Sequence, residues 1–184
     1  MQRTETAVLA GGCFWCTEAI FKSLRGVTSV MPGYTGGTLK NPSYDQVATG
    51  RTGHAESVKI EFDPAVISYG DLLTVFFNTH DPTTLNRQGN DVGTDYRSAI
   101  FFATPEQEKA AHDTIAELDG AKAYDKPIVT EVVPLEEFFP AEDYHRDYYE
   151  MNRGQPYCEL VIAPKLEKFQ KRFADLLKNA NPSK

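Results

Sequence analysis

The sequence predicts an α+β fold, a sandwich of helices on a mixed sheet, and three observations predict it. Segments of alternating and of helical hydrophobic period follow one another irregularly along the chain. No internal repeat, low-complexity segment or linker divides it. With 184 residues, 41% hydrophobic and 24% charged, the chain is long enough to bury a sizeable core as one domain. That domain is expected to span residues 1–184, its C-terminal segment from about residue 150 either moving or packing as a helix.

The elements follow in order. A weakly alternating strand over residues 4–10 runs into the turn signal Gly11-Gly12. A helix then starts at Cys13, with Ala19, Ile20 and Leu24 at helical spacing, Glu18 in the early turns and Gly26 as a stop. A second strand covers residues 27–34. The loop over residues 35–53, rich in Gly, Asn, Pro and Thr and containing Tyr44, is long for a connector and so a candidate substrate wall. HAESVKIEFDP reads as a strand with an apolar far end and an acidic start. A helix over residues 69–80 leads into a second loop, DPTTLNRQGNDVGTDYR, and then the strand SAIFFAT. PEQEKAAHDTIAEL has Pro105 at a first helical position, acidic residues in its opening turn and Gly120 beyond its end. A strand over residues 127–134, an acidic aromatic stretch and a final helix striped by Leu166, Phe169, Phe173, Leu176 and Leu177 complete the chain.

A net charge of −7 gives no general attraction for phosphate backbones or anionic lipid, so neither nucleic acid nor membrane is an expected partner. The N-terminal apolar run is too short for a signal peptide, and no stretch approaches the roughly 18 apolar residues of a membrane span. The expectation is a soluble, cytoplasmic, monomeric protein. Three cysteines cannot all pair within the chain, which puts weight on their chemistry.

The strongest local signal is GGCFWC, residues 11–16, where a thiol stands at a glycine-flanked helix entry. Unsatisfied N–H groups and the helix dipole are expected there to favour the Cys13 thiolate and lower its pKa. A buried cysteine packed as a small hydrophobe is the bland alternative. Cys16 lies three residues on, roughly 5 Å away along a helix, within disulfide range. A structural zinc site would need four ligands, and only Cys158 and dispersed histidines remain, so no metal is expected.

GCFWC, PGYTGGTLKNPSYDQV, TGHAESVKIEFDP, FFNTHDPTTLNRQGNDVGTDYRSAIF and AEDYHRDYY, in this order, resemble the methionine sulfoxide reductase A family. The resemblance implies a two-layer α+β sandwich with a ferredoxin-like core, and reduction of methionine-S-sulfoxide, free or in proteins, without metal or organic cofactor. It implies that Cys13 attacks the sulfoxide sulfur and that Glu56 in GHAE is the acid that protonates the departing oxygen. Tyr44 and Tyr96 match phenols that hydrogen-bond that oxygen, and Asp91 in QGNDVG an acidic residue near the site. Phe14 and Trp15 would line an apolar pocket for the S-methyl group, while His54 has a positioning role at most.

Attack leaves a sulfenic acid on Cys13, which a second thiol must resolve to a disulfide that thioredoxin or a similar dithiol reduces. Cys158 and Cys16 are the candidates. Cys158 is favoured because family members commonly resolve from the C-terminal side and a mobile segment can approach from outside the helix, whereas a Cys13–Cys16 bridge would strain the first turn. Two positions depart from the family pattern: Cys16 stands where many members have Gly, and Asp95 where Gln is more common. The CxxC pair alone would also fit a thiol peroxidase or general disulfide oxidoreductase, and a redox-insensitive binding domain for Met-rich partners is a third reading.

Overall fold

The structure, a computed structural model, describes residues 3–179. Strand β1 (Glu5–Gly11) ends at a turn where Gly12 takes φ +92° and leads the chain into helix α1 (Phe14–Lys22). A Cβ on Gly12 would stand 2.6 Å from Gln88 Cγ, so both the dihedral and the space require glycine. Gly12→Ala is accordingly expected to destabilise the fold by about 1–3 kcal/mol, read as a lower urea midpoint at unchanged slope.

Gly26, at φ +85°, turns the chain into β2 (Val27–Thr35). The segment expected as a loop over residues 35–53 contains a helix, α2 (Tyr44–Ala48). Ser43 Oγ accepts from Gln46 N–H and the Gln46 side chain accepts from Ser43 N–H, a capping box that was legible as S-x-x-Q. β3 (Ala55–Phe62) and α3 (Tyr69–Asn78) follow, the latter capped reciprocally by Ser68 and Asp71. The second expected loop holds a small hairpin of β4 (Arg87–Gln88) and β5 (Asp91–Val92), then a single 3-10 turn, Thr94–Tyr96. β6 (Ser98–Phe102) and α4 (Pro105–Gly120) follow the reading of the sequence, except that Gly120, expected beyond the end of the helix, is its last residue.

β7 (Glu131–Pro134) is shorter than the strand expected over 127–134, because the Ile128 and Val129 N–H groups bond Asp119 Oδ1 and the Pro82 carbonyl instead of a strand. β8 (Phe139–Pro140), a 3-10 turn at Asp143–His145 and the short α5 (Tyr148–Met151) build the acidic aromatic stretch. A π-turn, Cys158–Ile162, continues directly into α6 (Ala163–Arg172). The expected final helix does not carry its whole stripe: it breaks at Phe173, and Ala174–Leu176 form a 3-10 turn. Leu177 then bridges Leu24, with Arg25 N–H donating to the Leu176 carbonyl and Lys178 N–H to the Ser23 carbonyl.

The main sheet has six strands in the order β7-β6-β1-β3-β2-β8. β3 lies antiparallel between β1 and β2, and β6 pairs antiparallel with β1, so β1-α1-β2-β3-α3-β6 is the βαββαβ arrangement of a ferredoxin-like core. β7 adds in parallel beside β6 after the α4 crossover, which makes the sheet mixed, and both edge strands, β7 and β8, end in proline. Side chains alternate across β1: Ala7 and Leu9 join the helix-side core with Phe21, Leu72 and Phe76, while Val8 and Ala10 meet Phe101, Leu135 and Phe138 on the other face. Among the described residues, no helix is long and apolar enough to cross a membrane.

Candidate active site

At one end of the sheet the entry of α1, the start of β3, the first residue of α2, the β4-β5 hairpin and the segment before α6 converge. Cys13, Trp15, Tyr44, Glu56, Asp91, Tyr96 and Tyr157 line one cavity there, of about 200 Å³. Six of these seven were singled out from the sequence. Phe14 is not among the lining residues: its ring is buried in the core against Tyr34 and His145, at centroid distances of 5.7 and 4.9 Å.

Cys13 is the N-cap of α1, with non-helical dihedrals (φ −55°, ψ 122°), and its carbonyl accepts from the N–H groups of Cys16 and Thr17. Its thiol, 8% exposed, is held well above the usual thiol range rather than lowered as the sequence reading expected. Burial is the main cause, followed by the hydrogen bond with Cys16 and the Glu56 carboxyl, against which the Trp15 N–H works weakly. A helix terminus contributes about 0.3–1 kcal/mol, under one pKa unit, whereas burial can shift a group by several units. In the Cys13–Cys16 pair the proton therefore stays on Cys13, which donates it toward Cys16.

Glu56 sits second in β3, opposite Tyr34 in the β2 register, and is 3% exposed. Its carboxyl is raised well above the ordinary value by burial and then by Asp95, with Phe14 N–H, which donates to it, pulling the other way. Its Oε2 is buried without a hydrogen-bond partner. A buried unpartnered carboxyl oxygen beside a cavity belongs to a neutral acid with a proton to offer.

Tyr44 and Tyr96 both stay protonated: burial and the nearby Glu56 push Tyr44 up to about 12 and Tyr96 further upward. Tyr44 is positioned through its backbone, whose N–H donates to Glu142 Oε2 at 3.0 Å, while Tyr34 OH donates to Glu142 Oε1 at 3.0 Å. Asp91 Oδ2 accepts from Tyr157 OH at 2.8 Å. Trp15 stacks on Tyr148 with centroids 3.7 Å apart and planes 7° from parallel, and its Nε1–H donates to His145 Nδ1 at 3.0 Å. His54 lies outside the cavity lining; its Nδ1 accepts from Gly37 N–H and its Nε2 donates to the Leu39 carbonyl, pinning the segment that carries α2.

All three cysteines are free, and they share one buried cluster with Ile162. Cys158 is fully buried at the start of the π-turn. The residues sequence reasoning missed are Tyr157, whose one local signal was its place beside Cys158, and Glu142, which lay unremarked within AEDYH. Among the described residues, no group of three or more His, Cys, Asp or Glu side chains is arranged to hold a metal ion.

The family model described as peptide methionine sulfoxide reductase matches residues 5–177. The chain is 56% identical to a peptide methionine sulfoxide reductase MsrA of Sulfolobus acidocaldarius, covering 93% of this chain and 96% of that protein. It is 55% identical to the MsrA of Saccharolobus solfataricus, over 95% and 97% of the two chains. Among solved structures, reduced Mxr1 of Saccharomyces cerevisiae superposes with a TM-score of 0.79 at 32% identity, over 85% of this chain and 90% of that one. A match across nearly the whole fold, with the thiol, the neutral carboxyl and the two phenols around one cavity, leads to one conclusion: the chain belongs to the peptide methionine sulfoxide reductase family.

Proposed function

We propose that the protein reduces the S epimer of methionine sulfoxide, free or in peptides, to methionine in the cavity at the N-terminus of α1. The observation that carries the reading is the buried, unpartnered Oε2 of a neutral Glu56 on the cavity that also holds Cys13. The Cys13 sulfur bonds to the sulfoxide sulfur as Glu56 gives its proton to the oxygen and the S–O bond breaks. The hydroxyl oxygen then bonds to the Cys13 sulfur as the new S–S bond breaks, its electron pair leaving with the methionine sulfur, and the proton Cys13 gives up replaces the one Glu56 gave. The balance is Cys–SH plus sulfoxide to Cys–SOH plus thioether. Tyr44 and Tyr96 OH groups donate to the oxygen as charge gathers on it, and Trp15 forms the wall for the S-methyl group, backed by Phe14. Asp91 acts through Tyr157, holding that phenol over the site.

The sulfenic acid then condenses with a second thiol, releasing water. Cys16 is the better partner here, because its thiol and that of Cys13 act directly on each other's protonation and because Cys13, as N-cap, lies outside the regular turn, so a bridge between them need not unwind α1. This reading moves the resolving role from Cys158, whose fully buried place in the π-turn gives it no approach from outside the helix. A thioredoxin-type dithiol restores both thiols, and three free cysteines suit a monomer working in a reducing, cytoplasmic compartment.

The test is a single turnover of separated S and R epimers without external reductant. One methionine per chain is expected from the S epimer, and no product from either epimer would sink the reading. Cys16→Ser is expected to yield that methionine but stall as a dimedone-trappable sulfenic acid, while Cys158→Ser still forms the Cys13–Cys16 disulfide on peptide mapping. The reverse pattern would return the role to Cys158.

A further inference from the structure

The helix that presents Cys13 also holds down the segment that packs on Trp15, and it does so from one face. Trp15, Glu18 and Lys22, spaced i, i+3 and i+7 along α1, each bond the stretch from His145 to Asp147. Trp15 Nε1–H donates to His145, Glu18 Oε1 accepts from Asp147 N–H at 2.7 Å, and Lys22 pairs with the Asp147 carboxylate. Of the three, Glu18 is the anomaly: it is 3% exposed, the one ionisable carboxyl among the buried side chains of α1.

What it grips is unusual too. Asp147 takes a left-handed conformation, φ 53° and ψ 27°, uncommon for a residue other than glycine although Asp adopts it more readily than most. No side chain caps α5, so the Glu18 oxygen is the group given to the Asp147 N–H. The next residue is Tyr148, whose ring lies flat on Trp15. The direction of the chain at Asp147 thus decides where the Tyr148 ring falls, and the ring decides which tilts the Trp15 indole can take.

We propose that Glu18 is a positioning residue of the substrate pocket: its buried carboxyl fixes the left-handed turn at Asp147, and that turn seats Tyr148 against Trp15 so that the indole wall keeps its place. The proposal rests on the reading of Trp15 as the wall for the S-methyl group. It requires an acceptor oxygen at position 18 rather than a charge. Burial lifts the Glu18 carboxyl to about 7, so near neutrality it is present in both forms, and either form keeps an oxygen for the N–H. The exposed Lys22 ammonium, by contrast, reaches only carboxylate side chains, those of Asp147 and Glu150, and leaves the backbone turn to Glu18.

Three variants separate these roles. Glu18→Gln keeps the acceptor, Glu18→Met keeps the length without it, and Lys22→Met removes the ion pair. Trp15 is the only tryptophan, so intrinsic fluorescence reports its stack directly and independently of any substrate. Glu18→Met is expected to change the emission of the folded protein and to raise KM for a blocked methionine-S-sulfoxide about tenfold, with kcat changed less than threefold. Glu18→Gln and Lys22→Met should keep the wild-type emission and a KM within twofold. Circular dichroism at the assay temperature confines the comparison to folded protein, and if Glu18→Met does not fold, Glu18→Leu and Tyr148→Leu take its place, with the same emission change and KM rise expected of both. Wild-type emission and KM in an active, folded Glu18→Met protein would overturn the proposal, as would a Glu18→Gln variant as impaired as Glu18→Met. Failure of the reductase reading itself would look different: the wild type would then make no methionine, whatever the fluorescence.

Discussion

Cys13→Ser is expected to abolish methionine formation at the first turnover, by about four orders of magnitude or more, in a protein that still folds. The size of the effect follows from electron balance as well as reactivity. Reducing a sulfoxide takes two electrons, and in this cavity they come from the Cys13 sulfur, which finishes as a sulfenic acid. A serine oxygen can hydrogen-bond the Trp15 N–H but has no such oxidation state to reach. The check is to quantify methionine and lost thiol together, with circular dichroism confirming the fold. One methionine per chain from the serine variant would remove Cys13 from the nucleophile role.

Glu56→Gln should slow the same step by about 10²–10⁴-fold, the usual worth of a positioned general acid. Two pH effects accompany it. Wild-type activity should fall on the alkaline side as Glu56 loses its proton, and the glutamine variant should lack that limb. For stability the sign is set by the raised folded-state value. Between roughly 4.3, the unfolded value, and its own higher one, native Glu56 holds a proton that the unfolded chain has released. Stability from this group is thus whole below the unfolded value and declines as pH rises through the window. Glu56→Gln, which never charges, should melt above wild type at mildly alkaline pH, and the gap should shrink toward about pH 4. Near-full activity in the glutamine variant would take the acid role from Glu56.

How far the fold was legible depended on whether an element's limits were local. α4 and α3 carry their own start signals, Pro105 after Thr104 and the Ser68–Asp71 box, and both were read within a residue or two. β8 and the β4-β5 hairpin are two residues long per strand and have no period to detect. The start of β7 and the break at Phe173 are set by distant partners, Pro82 and Asp119 for one and the turn at residues 23–25 for the other. The cavity was legible where motifs name residues. Tyr157 was not, because its bond to Asp91 joins positions 66 residues apart. The direction of the Cys13 shift was misread because position on a helix is visible in sequence and burial among other acids is not.

The two edges of the sheet bear on the company such an enzyme keeps. Oxidatively damaged substrates are often partly unfolded, and an unfolded chain readily adds itself as a further strand to any long, regular sheet edge. β8 is only Phe139–Pro140 and β7 ends at Pro134, so each rim is short and each includes a residue with no N–H to donate. Glu131, at the other end of β7, is paired with Arg97 and half-exposed, a charge on the rim itself. The protein can therefore take up one oxidised side chain from a damaged polypeptide without offering the rest of that polypeptide a template on which to aggregate.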